Sequence, residues 1–95
     1  MYTLSIEHPV PNYKSWKRAF DSDPIGREKM KLRRYQILRP LDNPNYVLTN
    51  LEFDSVSDAE AMLAALRDLW SRVEGTIFMT NPKVQIVEVV ETKTL

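Results

Sequence analysis

Two hydrophobic rhythms alternate along this chain. Residues 3–8 repeat every second position, with Leu4, Ile6 and His8 on one side and Thr3, Ser5 and Glu7 on the other, as a half-buried strand requires. Pro9-Val10-Pro11 ends that run, because proline gives no ladder donor and restricts the residue before it. Asn12 is a candidate helix cap, and Tyr13, Trp16 and Phe20 then fall on a single helical stripe. Asp23 before Pro24 predicts a fresh cap and a short second helical segment over residues 25–30. Strands are predicted over 32–39 and 46–53, joined by the turn-rich stretch 40–45. Ser57 with Glu60 has capping-box spacing and opens a second helix, whose stripe is Ala59, Met62, Leu63, Leu66, Leu69, Trp70 and Val73. Gly75 suits the position just past its end. A loop over 76–83 leads to a last strand over 84–91.

The order β-α-β-β-α-β predicts a ferredoxin-like α+β fold, a four-stranded antiparallel sheet with two helices on one face. With 95 residues the chain is expected to form one domain. Leu4, Ile6, Tyr35, Ile37, Val47, Leu51 and Phe53 are expected under the helices. The opposite sheet face mixes polar residues with Leu32, Leu38, Tyr46 and Leu48, and strand four is apolar on both sides through Ile86, Val87, Val89 and Val90. Burying such a surface is worth about 25 cal/mol per Å² of apolar area. A twofold homodimer, sheet against sheet, is therefore expected.

Composition narrows the chemistry. Thirteen basic and thirteen acidic residues cancel, so no overall field would hold a nucleic acid or an anionic membrane. The RNA-recognition modules of this topology need flat rings where Leu48 and Asn50 stand. Neither a nucleic acid nor a membrane is an expected partner. The chain has no cysteine and a single histidine, which leaves no thiolate chemistry and no convincing transition-metal set. Gly26 and Gly75 are the only glycines, too few for a phosphate cradle. No cofactor or metal is expected. With no basic and apolar leader ahead of the first strand and no long apolar run, a cytoplasmic location is the expectation.

His8 is the one side chain whose ordinary pKa suits proton transfer near neutral pH. Strands one and three are expected as parallel neighbours, which would gather their C-terminal ends and bring His8 beside Phe53-Asp54 and the start of helix one. There His8 and Tyr13 are candidate catalytic groups. A structural histidine bonded to a backbone carbonyl is the competing reading. Trp16, Phe20, Thr49 and Trp70, with Met79, are candidates for the lining of a cavity for a small aromatic ligand, although aromatics at this spacing also serve as plain core. Arg27, Lys29, Lys31, Arg33 and Arg34 face only Glu28 in their stretch. A solvated basic surface is expected there, with Arg34 in a salt bridge on the mixed sheet face.

Three stretches carry a family likeness: His8-Pro9-Val10, then Tyr13-x-x-Trp16-Lys17-x-x-Phe20-Asp21-x-Asp23-Pro24, and Leu51-Glu52-Phe53-Asp54 before the alanine-rich helix. With them the chain resembles small bacterial proteins of the dimeric α+β barrel superfamily, related to antibiotic biosynthesis monooxygenase-like proteins. The resemblance implies a dimer and a site between sheet and helices. It also implies an activity drawn from cofactor-free oxygenation of aromatic polyketides, haem breakdown, ring isomerisation or decarboxylation, or no chemistry at all. The haem-degrading branch uses a histidine on the second helix, and residues 57–74 contain none, so haem breakdown is disfavoured. The resulting expectation is a cofactor-free monooxygenase or isomerase of a small aromatic or enolisable substrate. A non-catalytic homodimeric module binding a small ligand or a protein is the alternative.

Overall fold

The structure, a computed structural model, describes residues 1–72 and 82–95. Its elements are β1 (Tyr2–Pro9), α1 (Tyr13–Asp21), β2 (Arg34–Leu38), β3 (Tyr46–Phe53), α2 (Val56–Arg72) and β4 (Lys83–Glu88). The strands form one four-stranded antiparallel sheet in the order β2-β3-β1-β4, the ferredoxin-like plan. The expected helix turn at Gly75, the stripe residue Val73 and Met79 lie outside the described residues. No described helix is long and apolar enough to cross a membrane.

Strands one and three are antiparallel, not parallel. β1 meets β3 with Tyr2 opposite Phe53, Ile6 opposite Thr49 and His8 opposite Val47. In a split β-α-β unit the parallel pair is β1 and β2, and β3 runs antiparallel between them. His8 therefore stands at the start of β3, far along the ladder from Phe53 and Asp54.

Alternation then sorts the side chains. Leu4, Ile6, His8, Val47, Thr49, Leu51 and Phe53 are all buried on the helix side. Ile86, opposite Leu4, shares that side and packs into the core rather than adding to apolar character on the open face. Leu32 also packs against the helix-side core, because β2 begins only at Arg34 and leaves residue 32 free to turn inward. The open face carries Arg34 bonded to Glu52, and the Tyr46 hydroxyl donates to Glu7 at 2.8 Å. Between these polar pairs lie Leu48 and the exposed Leu38 and Val87, while Val90 follows the end of β4 in solvent.

The helix starts show how local chemistry decides boundaries. Asn12 caps α1, its side chain accepting from the Ser15 amide at 3.0 Å. In α2 the cap is Ser55 rather than Ser57: its hydroxyl accepts from the Asp58 amide at 3.1 Å, and its carbonyl accepts from Ala59. Asp58 thus fills the third helical position that Glu60 would hold in the later frame, and its charge suits the positive helix end. The expected helix over 25–30 is absent. Gly26 (φ 81°) and Lys31 (φ 66°) bracket the segment in left-handed conformation, so it closes as an isolated turn, with Leu32 N donating to Arg27 O.

The core comes in two parts. Leu4, Ile6, Leu51, Phe53, Ala59 and Met62 pack beneath α2, while Val10, Trp16 and Val47 pack beneath α1 with Tyr13, Phe20 and Ile37 at their margin. Two consequences can be measured by urea unfolding. Truncating the fully buried Phe53 to alanine should cost about 3–5 kcal/mol. Ser55→Ala should cost roughly 1 kcal/mol, whereas Ser57→Ala should stay within about 0.5 kcal/mol of the parent.

Candidate functional site

A cavity of about 310 Å³ opens where the two parts of the core meet. Its floor is the inner sheet face, with Ile6 and His8 from β1 and Thr49 and Leu51 from β3. Trp16 and Phe20 of α1 form one wall, and Met62, Leu66 and Trp70 of α2 form the other. The connection after α1 closes an end with Asp23, Ile25 and Arg27. The surface is mainly hydrocarbon and aromatic ring, with a few polar atoms set into it, as small-molecule sites usually are.

His8 is 1% exposed. Its Nδ1 lies 3.1 Å from the carbonyl of Pro9. A carbonyl only accepts, so Nδ1 carries the proton and Nε2 keeps the lone pair. This is the ring-to-backbone bond that a structural histidine would make, and it also fixes the tautomer that a base needs. Burial pushes the imidazole below its ordinary pKa, opposed only in part by the Pro9 bond. The ring is therefore neutral at pH 7. Trp16 lies against it with centroids 6.0 Å apart, tilted by 58°.

Thr49 pairs with Ile6 in the middle of the floor, and its hydroxyl is buried with no hydrogen-bond partner among the described residues. On an antiparallel sheet such diagonal neighbours as His8 and Thr49 have Cβ atoms about 7–8 Å apart or less, within the span of a single bound ring. Leaving a hydroxyl unpaired in an apolar setting costs about 1–3 kcal/mol, so Thr49 is a standing offer of one hydrogen bond.

Of the residues singled out in the sequence, His8, Trp16, Phe20, Thr49 and Trp70 all line this one cavity. Tyr13 does not. It sits one turn earlier on α1, behind Trp16 at 6.0 Å between centroids, with the Arg39 guanidinium 4.3 Å from its ring centre. Its contact with the cavity is through Trp16. Arg27 and Asp23 were missed. Where its basic stretch predicts solvated surface, the Arg27 side chain is only 20% exposed. The available signal was the four-residue spacing of Asp23 and Arg27 across Pro24 and Gly26, which can close an acid–base pair within one turn. Arg34 does pair with Glu52 on the open face, as its position on β2 required. No group of residues able to hold a metal ion occurs among the described residues.

The fold is shared by several solved structures. An antibiotic biosynthesis monooxygenase candidate from Deinococcus radiodurans superposes with a TM-score of 0.75 at 14% identity, covering 100% of this chain and 98% of its own. A monooxygenase from Streptomyces coelicolor, in complex with the ligand nanaomycin D, gives 0.64 at 14% identity over 99% of this chain and 91% of that one. A dimeric ferredoxin-like protein from an uncultured marine organism gives 0.60 at 19% identity, with 96% and 97% covered. Neither a protein-family model nor a curated protein sequence matches the chain. The chain thus has the ferredoxin-like fold of antibiotic biosynthesis monooxygenase-like structures, as the motifs around His8, Trp16 and Phe53 suggested.

The state of His8 is open to direct measurement. Its folded pKa lies below the unfolded value of 6.5, so below that pH the unfolded chain binds a proton that the folded chain resists. Stability should be full above pH 6.5 and fall progressively as the pH drops below 6.5. With no other histidine present, His8→Gln should flatten thermal melting across that window.

Proposed function

We propose that this chain acts on a small, flat, aromatic or enolisable molecule held between sheet and helices, with His8 as the general base of a cofactor-free monooxygenase or isomerase. The observation that carries this reading is a neutral, buried imidazole, its tautomer fixed by Pro9, lining an aromatic cavity beside an unpartnered threonine hydroxyl. A cavity of this volume with unsatisfied polar atoms favours ligand binding over a sealed structural core. The Streptomyces monooxygenase of the same fold, in complex with nanaomycin D, supports a small-molecule ligand.

The chemistry follows from what each group can do. His8 Nε2 takes a proton from carbon conjugated with a carbonyl, and the carbanion delocalises into an enolate. Thr49 donates to an oxygen of the ligand. Trp16, Phe20 and Trp70 sandwich its rings, and Tyr13 holds Trp16 in place as a positioning residue. In oxygenation the carbanion passes its electrons to molecular oxygen; one oxygen atom becomes the new carbonyl and the other leaves as water. In isomerisation the proton returns to a different carbon. Both routes use only the substrate, oxygen or solvent, and this chain's own side chains.

The working unit is a single domain paired with a second copy through the open sheet face, where Leu38, Leu48 and Val87 stand exposed or half-exposed between polar pairs. The dimeric ferredoxin-like neighbours support that assembly. Sedimentation at micromolar concentration should give about twice the 11.1 kDa chain mass; a lone monomer would remove the dimer from the proposal.

Anthrone, a flat enolisable ketone, is a suitable probe. The expected result is oxygen uptake matched by anthraquinone formation above the buffer rate, reduced about 10²–10⁴-fold by His8→Ala. Turnover that survives His8→Ala would remove the base from the mechanism. The bond between His8 and Pro9 also suits a second reading, a binding module without chemistry. Anthrone that binds without being consumed would favour that reading.

A further inference from the structure

We infer that Arg27 anchors a carboxylate at the end of the cavity remote from His8, so that the ligand is an aromatic acid rather than a neutral arene. This rests on the reading above that the cavity takes a flat ligand. Four observations lead to it. The Arg27 guanidinium lies against two rings that meet edge to face, 4.2 Å from the centre of Phe20 and 5.0 Å from that of Tyr35. Its Nε is 3.1 Å from Asp23 Oδ1, which also accepts from the Arg27 backbone amide at 2.9 Å. Its Nη1 is buried and has no hydrogen-bond partner among the described residues. Arg27 lines the cavity itself.

A guanidinium is a fork of five donors, and Asp23 engages the Nε side alone. The two ring contacts and the Asp23 ion pair hold the guanidinium, and a buried donor of a charged group is left empty. Such a donor gains most from a charged acceptor, because charge-assisted bonds are about twice as strong as neutral ones. Asp23 already balances part of the positive charge, which makes the expected preference moderate rather than absolute.

The position gives the ligand its polarity. His8, Trp16, Phe20 and Arg27 follow one another as a row along the α1 side, with 6.0 Å between the first two ring centres, 5.2 Å between the next two, and Arg27 over the last. The imidazole adjoins Trp16 and the guanidinium adjoins Phe20, with that stacked pair of rings between them. A flat ligand laid along that row presents its reacting carbon to His8 and its acid group to Arg27. Asp23 and Arg27 also line an open depression of about 500 Å³ beside Arg33, Arg34 and Glu28, so the acid end is the one nearer that basic rim.

The chain's only two tryptophans, Trp16 and Trp70, both line the cavity, so their indole N–H resonances report occupancy directly. Titrating the full chain with 2-naphthoate and with 2-acetylnaphthalene, a neutral match of similar shape, tests the inference. The acid should bind at least about tenfold more tightly, as a charge-assisted bond implies. Arg27→Met should abolish that preference while leaving the ketone's affinity unchanged, and Arg27→Lys, which keeps the charge but not the fork, should retain part of it. Equal affinity of the wild type for both probes, or equal weakening of both in the variants, would overturn the anchor and leave the cavity reading standing. If neither probe shifts Trp16 or Trp70, both readings are overturned. If Arg27→Met melts near room temperature, the wild-type preference and Arg27→Lys decide.

Discussion

The register of β1 against β3 is the constraint from which the rest of this structure follows. Opposing Ile6 to Thr49 and His8 to Val47 assigns every side chain of the two central strands to a face. A slip of one residue would turn the apolar set of one strand, Leu4 and Ile6 or Leu51 and Phe53, to solvent and bring its polar set, Glu7 or Asn50 and Glu52, under the helices. The cost of that exchange, many times the value of any single contact in the fold, holds the pairing in place. The same register carries two polar side chains, His8 and Thr49, onto an inner face that is otherwise apolar.

Those two residues mark where the core divides. At nine residues α1 is only about 13.5 Å long, and it covers one part of the sheet's inner face. The longer α2 covers another, over Leu4 and Phe53. Neither helix seals the strip between them. A core built only for stability would fill that strip with aliphatic side chains; here it is bordered by rings, an imidazole, a hydroxyl and a guanidinium. Burying polar groups without partners costs free energy, so the arrangement is coherent as a receptor that a ligand completes.

The segment after α1 shows how backbone conformation turns a surface residue into a site residue. Left-handed conformations at Asp23, Gly26 and Lys31 stop a helix from forming and fold the segment back on itself. Arg27 is carried inward, against Phe20 and Tyr35, while Glu28 and Lys29 stay in water. Gly26 takes its conformation at no steric cost; Asp23 and Lys31 are held there by the hydrogen bonds of the turn.

The sequence by itself determined the order of elements, the faces of β1 and β3, and the membership of His8, Trp16, Phe20, Thr49 and Trp70 in one inner surface. Each of these rests on periodicity, which is a local property of neighbouring residues. Tertiary structure alone decided what depends on distant partners. The antiparallel sense of β1 and β3 separates His8 from Asp54. The place of Ile86 and Leu32 in the core is fixed by the strands and helix they meet, and the start of α2 at Ser55 by which hydroxyl reaches a free amide. Tyr13 stands behind Trp16 rather than beside the cavity because it begins α1, one turn before Trp16, and the cavity extends the other way, toward Phe20 and the connection after α1. Arg27 was least legible of all: its burial comes from three left-handed residues and two rings belonging to separate elements, and no periodicity along the chain encodes that meeting.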